Sequence, residues 1–373
     1  MDLSMQVEQR TFLRRLDMNF ILVVLALNLV GLINLYSATH GIQATDTSGL
    51  FISQVIWLVF GWGIFFFLTF VDYQIVYRWS YVIYFLNLFA LALVPFIGKI
   101  SYGARRWLDL GFFSYQPSET MKIALVLVIA RNLVNKSKPE GMGLKELALP
   151  LILIAVPFIL TAKQPDLGTA LMILSIPLSM VLFMKVHRRI IIICAVAISI
   201  AIPLAWNFAM KDYQKQRIIT FLEPGKDPRG AGYNSIQSKI AVGSGKFFGK
   251  GFRQGTQSQL EFLPERHTDF IFSVLSEEHG FVGSILTVGL FTILLFIGIG
   301  TATQARDKFG ALLVIGSLGY VFWHMFINIG MVTGVLPIVG IPLPLLSYGG
   351  SGMITTMVAM GFVSSVAYRK FLF

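Results

Sequence analysis

The chain has 373 residues, 55% apolar and 13% charged, with a formal net charge of +11. An ordinary soluble domain carries about 25% charged residues, and apolar runs recur here that are long enough to cross a hydrocarbon core about 30 Å thick. These figures exclude a soluble enzyme, a disordered chain and, with Cys194 the sole cysteine, a disulfide scaffold.

The apolar runs fall at residues 17–38, 51–70, 78–98, 117–135, 147–163, 167–184, 189–209, 268–300, 309–333 and 345–367. They lack the alternation of strands, and a backbone in lipid must satisfy its own hydrogen bonds, so each is predicted to be an α-helix. The expected fold is an all-α polytopic membrane protein with ten transmembrane helices in a single domain, 1–373. The eighth run is too long for one straight crossing, and Gly280 and Gly283 inside it predict a kink. The density of Pro and Gly between Asn328 and Gly350 predicts broken backbone at membrane depth, tolerated only against protein or a cavity.

Basic residues in short connections set the orientation. With the N-terminus inside, fifteen bases face the cytoplasm, among them Arg10, Arg14, Arg15, Lys136, Lys185 and Arg369, against Lys99, Arg105, Arg106 and Lys163 outside. Both termini are therefore expected to be cytoplasmic. The bases serve orientation and anionic head groups, so no nucleic-acid partner is expected. The large outer loop, 210–267, falls between helices seven and eight. It carries ten bases, including Lys211, Arg217, Arg229 and Lys239, against five acids, including Glu261, and interleaves them with apolar residues. A loop that long without its own structure is uncommon, so short amphipathic helices in the outer interface are expected.

Phe262-Leu-Pro-Glu-Arg-His-Thr-Asp269 leads from this loop into the eighth run. A helix N-terminus favours a carboxylate, so Asp269 is expected to be ionised at the outer surface. Thr268 or Asp269 can equally be read as a helix cap. Glu277 and Glu278 would lie about 12–13 Å below Asp269 on a straight helix, facing the protein interior with one of them neutral, or paired structurally. Glu119 and Lys122 share one face of the fourth run, where an ionisable pair faces a cavity or is purely structural. Arg105, Arg106 and Trp107 offer cations beside a ring, or an interfacial anchor. Gln164-Pro-Asp166-Leu-Gly-Thr169 is a tight outer turn into the sixth run, read as ordinary turn and cap chemistry. The glycine-rich run 243–255 lacks phosphate-loop spacing and reads as a flexible loop. The five histidines show no metal-ligand spacing.

These stretches resemble the SEDS family (shape, elongation, division and sporulation) over nearly the whole chain, most closely its RodA, or elongation, branch. The resemblance rests on residues 255–272, which run from Gly255 through Leu263-Pro-Glu-Arg-His-Thr-Asp269 to Phe272, on Gly340-Ile-Pro-Leu-Pro344, and on Ser347-Tyr-Gly-Gly-Ser351. The chain departs from the family pattern at Lys246, His279 and Gly352. The family resemblance implies a peptidoglycan glycosyltransferase of the bacterial cytoplasmic (inner) membrane that polymerises lipid II into β-1,4 strands. It implies Asp269 as the essential carboxylate and Glu119 and Lys122 as the ionisable pair. With Asp269 as general base, Arg106, Trp107, Glu119, Lys122, Arg217, Lys239, His267 and Thr268 become candidates for binding substrate, and Arg106, Lys122, Arg217 and Lys239 for neutralising its diphosphate. No metal site or cofactor is built into the chain, and dependence on Mg2+ or Mn2+ stays open. The implied partners are lipid II, the class B penicillin-binding transpeptidase PBP2 and other elongation-complex proteins. The rival readings are a lipid II flippase or transporter, and a scaffold for a partner enzyme.

Overall fold

The computed structural model describes residues 15–370 except 41–47, 102–103, 110, 112–113, 139, 211, 228–229 and 261. Arg10, Arg14, Lys211, Arg229 and Glu261 lie outside the described residues. The described chain is mostly helical. Its helices are α1 (Met18–Thr39), α2 (Ser48–Phe70), α3 (Tyr73–Ile97), α4 (Pro117–Lys136), α5 (Leu144–Lys163), α6 (Leu167–Phe183) and α7 (Arg188–Leu204). Then come α8 (Asp212–Leu222), α9 (Ala231–Ser244), α10 (Thr256–Gln259), α11 (Ile271–Thr303), α12 (Lys308–Thr333) and α13 (Gly350–Arg369).

Seven of these, α1, α2, α3, α5, α11, α12 and α13, are long and apolar enough to cross a membrane. A helix also stands at each of the other three predicted spans. Of these, α6 and α7 have 17 residues each. The remaining one, α4, carries Glu119, Lys122, Arg131 and Lys136, and is buried along nearly its whole length. It can hold that much polarity because protein rather than lipid surrounds it. Together with α12 and α6 it forms the centre of the bundle, and α13 packs along α2. Aspartates start four of the helices: Asp17, Asp72, Asp166 and Asp307 accept hydrogen bonds from first-turn amides of α1, α3, α6 and α12.

Three expectations need correction. First, the fold is not purely helical. The connection from α3 to α4 forms a small antiparallel sheet, β1 (Lys99–Ser101), β2 (Ala104–Asp109) and β3 (Ser114–Tyr115), in the order β1-β2-β3. Second, the tenth helix begins at Gly350, and residues 345–349 belong to the irregular segment ahead of it.

The third correction concerns α11, which is two helices joined at Gly280 (φ 65°, ψ −158°). Ser284 Oγ donates to Ser276 Oγ at 2.9 Å, although eight residues of straight helix span about 12 Å. The first piece therefore folds back over the second. It runs in the same sense as α1, since Asn34 donates to Ile271 O and Ser37 to Glu278 Oε1. Glu277 and Glu278 lie toward the end of the bundle where α1 finishes, and Asp269 lies deeper, opposite to the order a straight helix gives.

The glycine-rich segment explains how this break is tolerated. Phe281 N and Val282 N donate to the carbonyls of Lys246 and Phe247, and Lys250 N and Gly251 N donate to those of Glu277 and Glu278. The run read as a flexible loop thus satisfies the backbone groups that the break leaves without helical partners. A Cβ at Gly280 would stand 2.3 Å from Gly249 N. Gly280→Ala is expected to lose about 1–3 kcal/mol from backbone strain alone, with the steric clash added, and thermal unfolding in detergent checks it.

The predicted amphipathic helices of 210–267 are α8, α9 and α10, with a 3-10 turn at Pro224–Lys226.

Candidate active site

Asp269 lies in a turn two residues before α11 begins. Its backbone is fixed from both sides. Asn328 of α12 donates from one amide nitrogen to Asp269 O at 2.8 Å and to Ile341 O at 2.7 Å. Ser347 Oγ donates to Thr268 O and accepts from Leu343 N, and Tyr348 N donates to His267 O. The irregular segment 339–348 therefore cradles the turn. Glu265 and Leu345 hold positive φ, 52° and 65°, on the two facing segments.

The carboxylate of Asp269 caps nothing. The N-cap of α11 is Phe270, with no side-chain cap bond, and Thr268 Oγ1 turns back to Glu265. The cap reading fails for both residues. Among the described residues no side chain or amide hydrogen-bonds the Asp269 carboxylate. It is partly exposed, yet most of its surroundings are protein. Burial first, then the charges of Glu265 and Asp166, push its pKa up to about 7, while Arg106 and Arg217 hold it down. The expectation of a carboxylate fully ionised at neutral pH is corrected: desolvation outweighs any helix-terminal field.

Two elements bring the arginines. The sheet presents Arg106 from β2 over the start of α6, where it donates to Pro165 O and lies 3.8 Å from Asp166. Its Nε is the atom of that ion pair and is buried without a hydrogen bond among the described residues. Arg217 comes from α8, partly exposed. Asp166 both caps α6, accepting from Thr169 N, and lies beside Arg106, so the turn-and-cap reading of 164–169 was correct and incomplete. Gly340 (φ 72°) closes the other side: a Cβ there would stand 3.1 Å from Asp269 Oδ2. Gly340→Ala is expected to displace the carboxylate and slow turnover about tenfold, within the range that small misplacements cost. Comparing initial rates for the two purified proteins checks this.

The remaining candidates are spread more widely. His267 stands 3.9 Å from Glu265 with its ring beside Tyr348. Burial lowers its pKa, against Glu265 and with Arg266. Trp107 is partly exposed on β2, paired with Lys99. Lys239, exposed on α9, lies against Gly334 at the end of α12 and is not among the charges that shift Asp269.

Glu119 and Lys122 form a separate, enclosed cluster. Lys122 is 1% exposed and Glu119 6%. Lys122 Nζ donates to Glu119 Oε1 at 2.7 Å and lies 2.8 Å from His324 Nε2. Tyr320 O–H donates to Glu119 Oε2, and the Lys122 ammonium sits 5.1 Å from the Tyr320 ring centre. His324 Nδ1 lies 2.7 Å from Tyr320 O, a pure acceptor, so Nδ1 carries the proton and Nε2 accepts from Lys122. Sequence reasoning missed His324, because a lone histidine on an apolar helix gives no spacing signal. It likewise missed the part played by Asn328.

Glu277 accepts from Lys250 Nζ, Thr256 Oγ1 and the amides of Gln257 and Ser258. It tethers the start of α10, the structural role that was the alternative for it. Among the described residues no group of three or more His, Cys, Asp or Glu could hold a metal ion.

A family model described as "cell cycle protein", for FtsW, RodA and SpoVE, matches residues 17–371. The chain is 46% identical over 295 residues to the peptidoglycan glycosyltransferase MrdB of Escherichia coli (strain K12), covering 79% of each chain. It is 35% identical to stage V sporulation protein E of Bacillus subtilis (strain 168), covering 94% of this chain and 96% of that one. A solved structure reported as structural coordination of polymerization and crosslinking by a peptidoglycan synthase complex superposes with a TM-score of 0.82 at 30% identity, covering 96% of this chain and 99% of that one. The crystal structure of Thermus thermophilus rod shape determining protein RodA gives 0.71 at 28% identity, covering 96% and 98%.

Proposed function

The chain belongs to the FtsW, RodA and SpoVE family of cell cycle proteins, and on that premise we propose that it is a peptidoglycan glycosyltransferase with Asp269 as its general base. The substrate is lipid II, a disaccharide-pentapeptide on undecaprenyl diphosphate. Asp269 takes the proton of the sugar 4-hydroxyl as its oxygen attacks the anomeric carbon of the lipid-linked sugar. The C–O bond to the diphosphate breaks, its electron pair leaves with the diphosphate, and an α donor becomes a β-1,4 bond. A diphosphate leaves without protonation when its charge is neutralised, so no second carboxyl acid is needed. That contrasts with glycosidases, which must protonate an alkoxide.

The observation that carries this reading is a carboxylate that no group among the described residues hydrogen-bonds, enclosed largely by protein and within electrostatic reach of Arg106 and Arg217. A base poised near the operating pH transfers protons best. Arg106 and Arg217 have the charge and position to stabilise the departing diphosphate. Of the other cations considered, Lys122 is enclosed by His324 and Glu119, and Lys239 faces the end of α12, so the arginines take the role in this conformation. Mg2+ or Mn2+ would arrive on the diphosphate rather than in a protein cage. His267, Thr268 and Trp107 border the turn and sheet that frame the sugar.

The proposed setting is the bacterial cytoplasmic (inner) membrane, with ten crossings, both termini inside, and 210–267 as an outer segment of one domain spanning 1–373. The partner proposed is a class B transpeptidase of the PBP2 kind, supported by the similarity to a polymerising and crosslinking complex. Incubating the purified protein with labelled lipid II in detergent tests the function. Glycan strands should form with the wild type and not with Asp269→Ala. Strands made equally by the variant would refute the assignment.

A further inference from the structure

At the end of the bundle away from Asp269, a cavity of about 320 Å³ is lined by Lys138, Lys185 and Lys308 together with Phe183, Met184 and Leu312. The three lysines come from three places: the exit of α4, the α6–α7 connection and the first residue of α12. Hydrogen bonds hold these places together. Met142 N donates to Lys185 O and His187 N to Met142 O, so the α4–α5 and α6–α7 connections are zipped by a parallel bridge. Lys308 Nζ donates to Ser137 Oγ at 3.2 Å, which ties α12 to the residue next to Lys138. Gly141 (φ 112°) makes the close approach possible, since a Cβ there would stand 3.3 Å from Lys185 O.

The acids act chiefly on Lys138, whereas Lys308 meets the Ser137 hydroxyl rather than a carboxylate. Glu146 accepts from Lys138 at 2.6 Å, and Glu140 acts on the same lysine. An ammonium has three donors, so Lys138 retains others. Asp307 is occupied by Gly310 N, Tyr73 O–H and Gln74.

We propose that this cavity binds the head-group phosphate of an anionic phospholipid, with an acyl chain lying along the outside of α6. The lysines supply donors and charge for the phosphate. Phe183 and Leu182, 50% and 60% exposed, supply the apolar track that a free phosphate ion would not use. Basic pockets between transmembrane helices bind lipid head groups in this way. A charge bias that only sets orientation needs a count of bases, not their convergence on a cavity with an apolar wall. The placing of this end toward the cytoplasm rests on the orientation proposed above, but binding measured in detergent does not depend on it.

The test uses the full-length, delipidated protein in detergent micelles, titrated with dioleoylphosphatidylglycerol, dioleoylphosphatidylcholine or inorganic phosphate. The phosphatidylglycerol should bind and raise the unfolding temperature, and the phosphatidylcholine should not. The Lys138→Gln/Lys185→Gln/Lys308→Gln variant should bind phosphatidylglycerol about a hundredfold more weakly, the loss expected from three such charges. Arg188→Gln/Arg189→Gln, which removes exposed charge at the start of α7, should bind as the wild type does. Single Lys185→Gln and Lys308→Gln proteins, each with an intermediate loss, keep the test readable if the triple variant does not fold. Equal affinity in triple variant and wild type would overturn the proposal. So would an equal loss in the arginine variant, or full displacement of the lipid by inorganic phosphate.

Discussion

Asp269→Asn is expected to lower the rate of strand synthesis by about 10²–10⁴-fold, the usual contribution of a positioned base, and at the same time to raise thermal stability above pH 7. The two effects have opposite signs for one reason. Burial pushes the folded-state pKa of Asp269 to about 7, well above that of an exposed aspartate. The native protein therefore holds this proton more tightly than the unfolded chain does. The associated stability is fully present below the unfolded pKa and is lost as pH rises through about 7. The ionised carboxylate is thus a cost to the fold under the conditions where it serves as base. An asparagine is nearly the same size and avoids that cost. Unfolding temperatures at pH 5 and pH 8, measured beside initial rates, check both halves. A purely structural aspartate would give a less stable, less active protein together.

Lys122→Met is expected to destabilise the protein by about 3–5 kcal/mol, the range for removing one partner of a buried ion pair. Among the described residues Glu119 would be left with only Tyr320 as donor, and His324 Nε2 would lose the donor it accepts from. Neutralising both partners costs far less than removing one, so Glu119→Gln/Lys122→Met should recover most of the stability. His324→Gln should be tolerated, because an amide oxygen can accept from Lys122, and His324→Leu should not. Chemical denaturation of the four variants in one detergent decides this. If the double variant is stable and inactive, the Glu119–Lys122 pair is needed for the reaction and not only for the fold.

The parts of the molecule that obey a local rule were legible in the sequence. Apolar runs marked a helix at each predicted span, Gly280 marked the break in α11, and alternating basic and apolar residues marked α8 and α9. The Pro and Gly density after Asn328 marked the irregular segment that cradles the turn. What escaped depends on contacts between distant residues. The direction of the chain beyond Gly280 is set by the clamp of 245–251 and by Asn34 and Ser37, more than 200 residues away in sequence. The strands at 99–115 were missed because β1 and β3 are too short to show a period of two and the six residues of β2 do not alternate. The sequence placed Asp269 next to a helix start and so suggested a stabilised anion. The bundle folds protein around it and leaves it without a hydrogen bond, and desolvation then wins. Arg106 and Arg217 were recognisable as cations, but nothing in their spacing distinguished them from Lys122 and Lys239. Only the sheet and α8 bring the arginines to the carboxylate, while His324 and Glu119 draw Lys122 away.

The most direct measurement of the central claim is the pH dependence of the initial rate of strand formation by the purified wild-type protein, with saturating lipid II. A single base with a pKa of about 7 predicts a rate that climbs about tenfold per pH unit on the acid side and levels off above neutrality. A rate that stays flat from pH 5 to pH 8 would contradict it.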